Sequence, residues 1–323
     1  MPRPETGPAS PGGGAVPELS PAPVISPTSA PADARRGLLV VALGVLVFTP
    51  DALAMRLSEL DAFTLAVARG VFGGVVLTLG CWLVYGRGLW RAMRSLGRWG
   101  LALVALEAAT TVLFTLSVVW TSVANAMLAF AATPMIAALL ARAVLGERIA
   151  PQTGLAIAAT GLGLGLVAAG AWDEGALSLK GIAAGFLSAA CIAAFFVILR
   201  RLKASSATPV IGPGWLLGAL LAAPFAAFEP VAVHQVAWAF ASGGIIMPLA
   251  ITLISWGSRR LPAAETSMLT LLEVVTGPIL VWIVLGEDPG AWTLAGGAVV
   301  LGALAAHAAW RWRAAPPTTE AAA

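Results

Sequence analysis

Runs of about twenty apolar residues recur between Gly37 and Trp312, separated by short joints that are charged, Pro-bearing or Gly-rich. As a helix, each run is long enough to cross a hydrocarbon core of about 30 Å. A lipid-facing barrel strand would alternate apolar and polar positions, and these runs do not alternate. An unbroken apolar run must satisfy its own backbone hydrogen bonds in lipid, which a helix does. The joints predict ten spans, at 37–55, 63–85, 98–120, 122–142, 151–171, 179–200, 209–228, 236–257, 262–285 and 290–312.

The spans fall into two similar sets. The tetrapeptide VLGE occurs at Val144 to Glu147 and again at Val284 to Glu287, each time closing one apolar run ahead of another. Ten spans halved give five per copy, an odd number, so the second copy must enter the bilayer from the opposite face. The expected architecture is an all-α membrane protein with ten transmembrane helices as two inverted five-helix repeats, over residues 35–172 and 173–313. Secondary transporters use such repeats to open a central site to either side in turn. Residues 1–34 hold nine Pro among Gly, Ala and Ser, too little apolar surface to offset ordering entropy, and are expected to be a disordered tail, as is 314–323. The start of the chain lacks a signal-peptide pattern, so the first run is expected to stay as an anchor.

Composition strengthens the membrane reading. The chain is 59% hydrophobic and 11% charged, against about a quarter charged in soluble domains. The excess of Arg and Lys then becomes a statement about orientation. Fifteen of the nineteen basic residues fall in joints on the side of the first tail, including Arg35, Arg94, Arg142, Arg200 and Arg260, and two, Arg56 and Lys180, fall on the other. By the positive-inside rule both termini are expected in the cytoplasm. Trp82, Trp90, Trp99, Trp256 and Trp310 near one set of span ends, and Trp120, Trp172, Trp238, Trp282 and Trp292 near the other, read as interfacial belts. Gly70/Gly74, Gly161/Gly165, Gly181/Gly185 and Gly214/Gly218 have the four-residue spacing that lets helices approach closely. Cys81 and Cys191 lie in apolar runs and are expected to be buried and unpaired.

Ionisable and polar side chains inside the spans are the site candidates, because a charge near the bilayer centre costs roughly 2.5–3.5 kcal/mol unless it faces a partner or water. They are Arg69 in the second span, Glu107 in the third, Asn125 and Thr133 in the fourth, and Glu273 in the ninth. Glu273 shares a stripe with Thr266, Thr270 and Gly277, a small and polar helix face that is expected to line a cavity. Arg69 could instead pair with Glu107 or Glu273 and serve packing alone. Glu147 and Glu287 end their spans and read as turn or helix-end residues, and Glu265 as a helix-start acid. His234 and His307 have no neighbours at metal-ligand spacing, so no metal is expected. GLGLVA at 163 to 168 fits a dinucleotide fingerprint in letters only, since no strand precedes it.

The order of these features resembles the EamA-like permeases of the drug/metabolite transporter superfamily, over residues 37 to 312. The resemblance is carried by LAVARGVFGG around Arg69, ANAMLAFAATPMIAALLARAVLGER with Pro134 and Glu147, and LPAAETSMLTLLEVVTGPILVWIVLGE around Glu273. The ninth span differs from many relatives in having Val274, not Pro, after Glu273, and the first reads FTPDALAMR with Asp51 and Arg56. The resemblance implies a permease for amino acids, related metabolites or drugs, with export more common than uptake. Arg69 would attract a carboxylate, and Glu107 or Glu273 an amine or a proton. The expected partners are a small-molecule substrate and the lipid bilayer, with a homodimer compatible with the pattern; no nucleic acid, cofactor or enzymatic activity is expected. The bias to Arg and Ala over Lys points to a bacterial inner membrane. Two alternatives are a membrane-embedded enzyme, which would show a polar cluster at one interface, and the pore subunit of an ATPase-driven complex, which would need a docking segment such as the basic joint at 86–99.

Overall fold

The computed structural model describes residues 31–314 apart from 87, 148, 203–207, 228, 259 and 262. Among the described residues there are helices and no strand. Ten apolar helices form a bundle: α1 Arg35–Leu57, α2 Ala62–Tyr85, α3 Gly97–Trp120, α4 Val123–Leu145, α5 Pro151–Trp172, α6 Ala176–Leu202, α7 Thr208–Phe225, α8 Val233–Ser258, α9 Ala263–Leu285 and α10 Gly290–Ala314. Nine have the length and hydropathy to cross a membrane, and α9 contains the shorter apolar segment Leu272–Leu285. Large apolar side chains such as Leu83, Leu155 and Ile283 are exposed on the outside of the bundle, as lipid contact requires. The helix of α1 begins at Pro31 and that of α10 ends at Ala314. The rest of the two expected tails lies outside the described residues.

Local chemistry explains where the helices stop. At each VLGE the Gly takes a left-handed conformation, φ 70° at Gly146 and again at Gly286, which costs a residue without Cβ nothing. The Gly146 N–H donates to Arg142 O at 3.1 Å and the Gly286 N–H to Trp282 O at 2.9 Å. The repeated tetrapeptide is therefore a helix terminator that delivers a Glu just beyond the end. Asp61 starts α2, its Oδ1 accepting from the Phe63 and Thr64 N–H groups at 2.9 and 3.2 Å, and Ser122 caps α4 by accepting from Asn125 N at 3.1 Å.

Helix packing reveals the duplication. The main pairs are α1 with α8 and α6 with α3, α3 with α7 and α8 with α2, α4 with α6 and α9 with α1. Adding five to each helix number turns the first member of every such couple into the second. The pairs α2 with α7, α4 with α9 and α5 with α10 map onto themselves. The equivalent helices are antiparallel. Gly70 of α2 meets Ala219 of α7 while Gly74 meets Gly212, and Gly163 of α5 meets Gly296 of α10 while Gly170 meets Trp292. The halves are thus inverted. "Basic face" below means the face where α1 begins, and "far face" the other.

Three of the four Gly pairs expected to bring helices together do so. A Cβ at Gly70, Gly74, Gly185, Gly214 or Gly218 would fall 2.7–3.0 Å from a neighbouring helix, and one at Gly181 would fall 2.7 Å from Thr121 in the α3–α4 joint. The pair Gly161/Gly165 does not, since a Cβ on either meets nothing within 4 Å. Gly163, between them and about 200° around the helix from both, makes the contact, with a Cβ there 2.7 Å from Gly296 O. The spacing was right for a close approach, but it picked the lipid face of α5.

Candidate functional site

Three irregularities in otherwise continuous helices shape the interior. α1 breaks at Thr49 and Pro50 and restarts as Asp51–Leu57, as expected where a residue lacking an N–H interrupts the ladder. α4 breaks at Ala131 and Ala132 and restarts at Thr133, with Pro134 in its first turn. α8 passes through a π-helical turn, Ala241–Ile246, a form concentrated at functional sites.

The break in α1 turns Asp51 inward, where it is 2% exposed. Its Oδ2 accepts from Arg69 Nη2 at 2.6 Å, and its Oδ1 from the Ser242 hydroxyl at 2.6 Å. Ser242 reaches it from the π turn of α8, where Gly243 lies directly on the Arg69 backbone. Arg69, 3% exposed, donates through Nη1 to Thr115 Oγ1 at 2.9 Å and meets Met247 Sδ at 3.1 Å. Its Nε is buried without a hydrogen-bond partner. Thr115 itself donates to Thr111 O at 2.8 Å, which leaves its oxygen aimed at the guanidinium. On α9, Thr276 shares a 3.1 Å hydrogen bond with Thr49, two residues before Asp51, and Glu273 stands one turn earlier on the same helix. An Asp–Arg pair and a second acid are thus gathered from α1, α2, α3, α8 and α9, so both halves contribute. On the far-face side of the cluster lie Met55, Val118, Val123, Met127 and Val281, all buried in one apolar group.

The sequence profile of the EamA-like transporter family matches this chain twice, at residues 35–169 and 179–307. The chain belongs to the EamA-like transporter family. Its two EamA segments correspond to α1–α5 and α6–α10. Among solved structures, one described as "Crystal structure of protein" is similar at 19% identity, covering 87% of this chain and 99% of the other with a TM-score of 0.55. At that identity the likeness concerns the fold alone. No curated protein matches the chain.

Within this EamA protein the five residues singled out from sequence separate into groups. Arg69 and Glu273 adjoin the Asp51 cluster. Arg69 pairs with Asp51 and not with either acid the sequence offered, because the α1 break brings that carboxylate to its depth. Glu107 is elsewhere, about 12 Å along α3 from Thr115, with its Oε1 accepting from Trp215 Nε1 of α7 at 3.0 Å. Asn125, fully buried, donates to Thr121 Oγ1 at 3.2 Å and accepts from Thr293 Oγ1 at 2.8 Å, a polar knot tying α4 to α10. Thr133 returns its hydroxyl to Phe130 O at 2.6 Å, across the α4 break. The EamA residues that sequence reasoning left out are Asp51, Ser242, Thr115 and Met247. Asp51 had a readable signal, an acid straight after Thr-Pro in an apolar run.

The Glu107 bond makes a clear prediction. Glu107→Gln should unfold near the parent temperature, since its carbonyl can still accept from Trp215. Trp215→Phe should lose about 1–3 kcal/mol by leaving a buried acceptor unmet. Thermal unfolding of the detergent-purified chain reads both.

Proposed function

We propose that the chain is a secondary transporter that carries a small metabolite, an amino acid or related compound, across the bacterial inner membrane, exporting it by alternating access. Its basic face, with both termini, lies in the cytoplasm. The observation that carries this reading is the buried Asp51–Arg69 pair between two inverted halves, with half-buried Glu273 on the neighbouring α9. Such a cluster in oil serves a purpose that apolar packing would not. The unmet Arg69 Nε offers a donor to a substrate carboxylate, and Glu273, with no ion-pair partner among the described residues, offers an acceptor to an amine or a proton. Glu107, Asn125 and Thr133 complete the proposed substrate path. Family membership supports transport over the enzyme and ATPase-driven alternatives.

The test is flux in proteoliposomes loaded with radiolabelled amino acids and amines. Glu273→Gln and Arg69→Lys are each expected to lower the rate by about ten-fold or more, with Glu273→Gln also flattening its response to a pH gradient. Parent-like flux in both variants would remove these residues from the site.

A further inference from the structure

The two VLGE glutamates end in matching ion pairs on opposite faces. Glu287, after α9, holds Arg56 at the end of α1: Nε lies 3.2 Å from Oε2 and Nη2 donates to Oε1 at 3.2 Å. Glu147, after α4, holds Arg200 at the end of α6, with Nη2 2.6 Å from Oε1. Helix α9 is the repeat mate of α4, and α1 of α6. Arg56 and Arg200 stand 144 positions apart, as do residues 35 and 179 where the matched segments begin. One interaction is therefore present twice, once on each face.

The two copies are not in the same state. On the far face both side chains are 24% exposed. Arg56 also donates to Thr121 O at 2.6 Å and Val119 O at 3.4 Å, and Glu287 accepts from Val123 N at 2.7 Å. This pair clamps α1 and α9 onto the joint between α3 and α4, directly above the plug of Met127, Val123 and Val281. On the basic face the side chains are 60% and 45% exposed, and among the described residues the pair makes no comparable backbone contacts. There the lower segment of α4, Thr133–Leu145, packs on α6 and α5, whereas its upper segment packs on α6 and also on α9.

We infer that Arg56–Glu287 and Arg200–Glu147 are a pair of symmetry-related latches for the two faces, with the far-face latch shut in this conformation. This rests on the alternating-access reading above. Inverted repeats exchange conformations during such a cycle, so the state open to the far face should seat Arg200–Glu147 and release Arg56–Glu287. Breaking either latch must then shift the population in opposite directions, a readout that general loosening of the bundle does not produce.

The experiment uses the full chain with Cys81→Ala and Cys191→Ala, and Met127→Cys as the reporter beneath the far-face latch. An impermeant maleimide is applied from the far face in proteoliposomes, without substrate, on preparations that run as a single peak in size exclusion. Arg56→Ala and Glu287→Gln are expected to raise labelling by about five-fold, and Arg56→Lys to leave it near the parent. Adding Arg200→Ala to Arg56→Ala should bring labelling back toward the parent. Unchanged labelling in Arg56→Ala, or a rise on adding Arg200→Ala, overturns the latch. Labelling that moves as stated with no flux of any compound tested keeps the latch and removes the transport reading. Flux with unmoved labelling removes the latch alone.

Discussion

Asp51→Ala is expected to cost about 3–5 kcal/mol of stability and to stop transport, because it strands the Arg69 guanidinium in the bundle without its counter-charge. The reasoning lies in the geometry. Arg69 is 3% exposed and its Nη2 gives Asp51 a 2.6 Å bond, while the other acceptors within reach are a hydroxyl and a thioether. Neither balances a full charge. If the loss comes from the stranded cation, removing it should recover stability. The double variant Asp51→Ala with Arg69→Met should therefore unfold at a higher temperature than Asp51→Ala alone, though still without flux. Equal unfolding temperatures for the single and double variants would show that the pair is not what holds this region. Asp51→Asn separates shape from charge: the amide fills the same space and can still accept from Ser242, yet it should retain little flux.

The second large effect is expected at Gly243. A Cβ there would lie 2.6 Å from Arg69 Cα and 2.8 Å from Arg69 O, and both are backbone atoms that cannot turn aside. Gly243→Val must therefore push α8 off α2, and Ser242 moves with it, away from Asp51. Overpacking of this kind costs about 1–3 kcal/mol, and flux should fall below detection because the site loses a wall as well as a hydrogen bond. Gly165→Val on α5 is the control, since a Cβ there meets nothing within 4 Å. It should express, unfold and transport like the parent. If Gly243→Val transports normally, the π turn does not position the site.

The span positions and the inverted arrangement were legible because lipid admits few solutions: a run of apolar residues is a helix, and an odd number per copy forces inversion. Arg69 and Glu273 stood out for the same reason, as charges where charges are costly. Asp51 was visible as an acid but not as the partner of Arg69, since the meeting depends on how a break at Pro50 redirects α1 across the bundle. Ser242 carried no signal. A serine in an apolar helix ordinarily bonds its own backbone, and nothing in ASGGII marks a π turn. Glu107 and Asn125 looked alike on paper to the residues of the cluster. Their partners, Trp215 and Thr293, belong to the other half, and no spacing rule links them. The same applies to the ion pairs of Glu147 and Glu287: the helix-terminating role could be read from VLGE, the Arg partners could not.

The break in α1 has no counterpart in α6, which runs unbroken from Ala176 to Leu202. At the 144-residue offset Asp51 corresponds to Phe195, itself buried against Leu103 and Val210. One half holds the charge and the other an oily filler, while Ser242 and Glu273 stand on the filler's side. The two halves contribute different groups to one site. Two identical copies of either half would leave that chemistry incomplete.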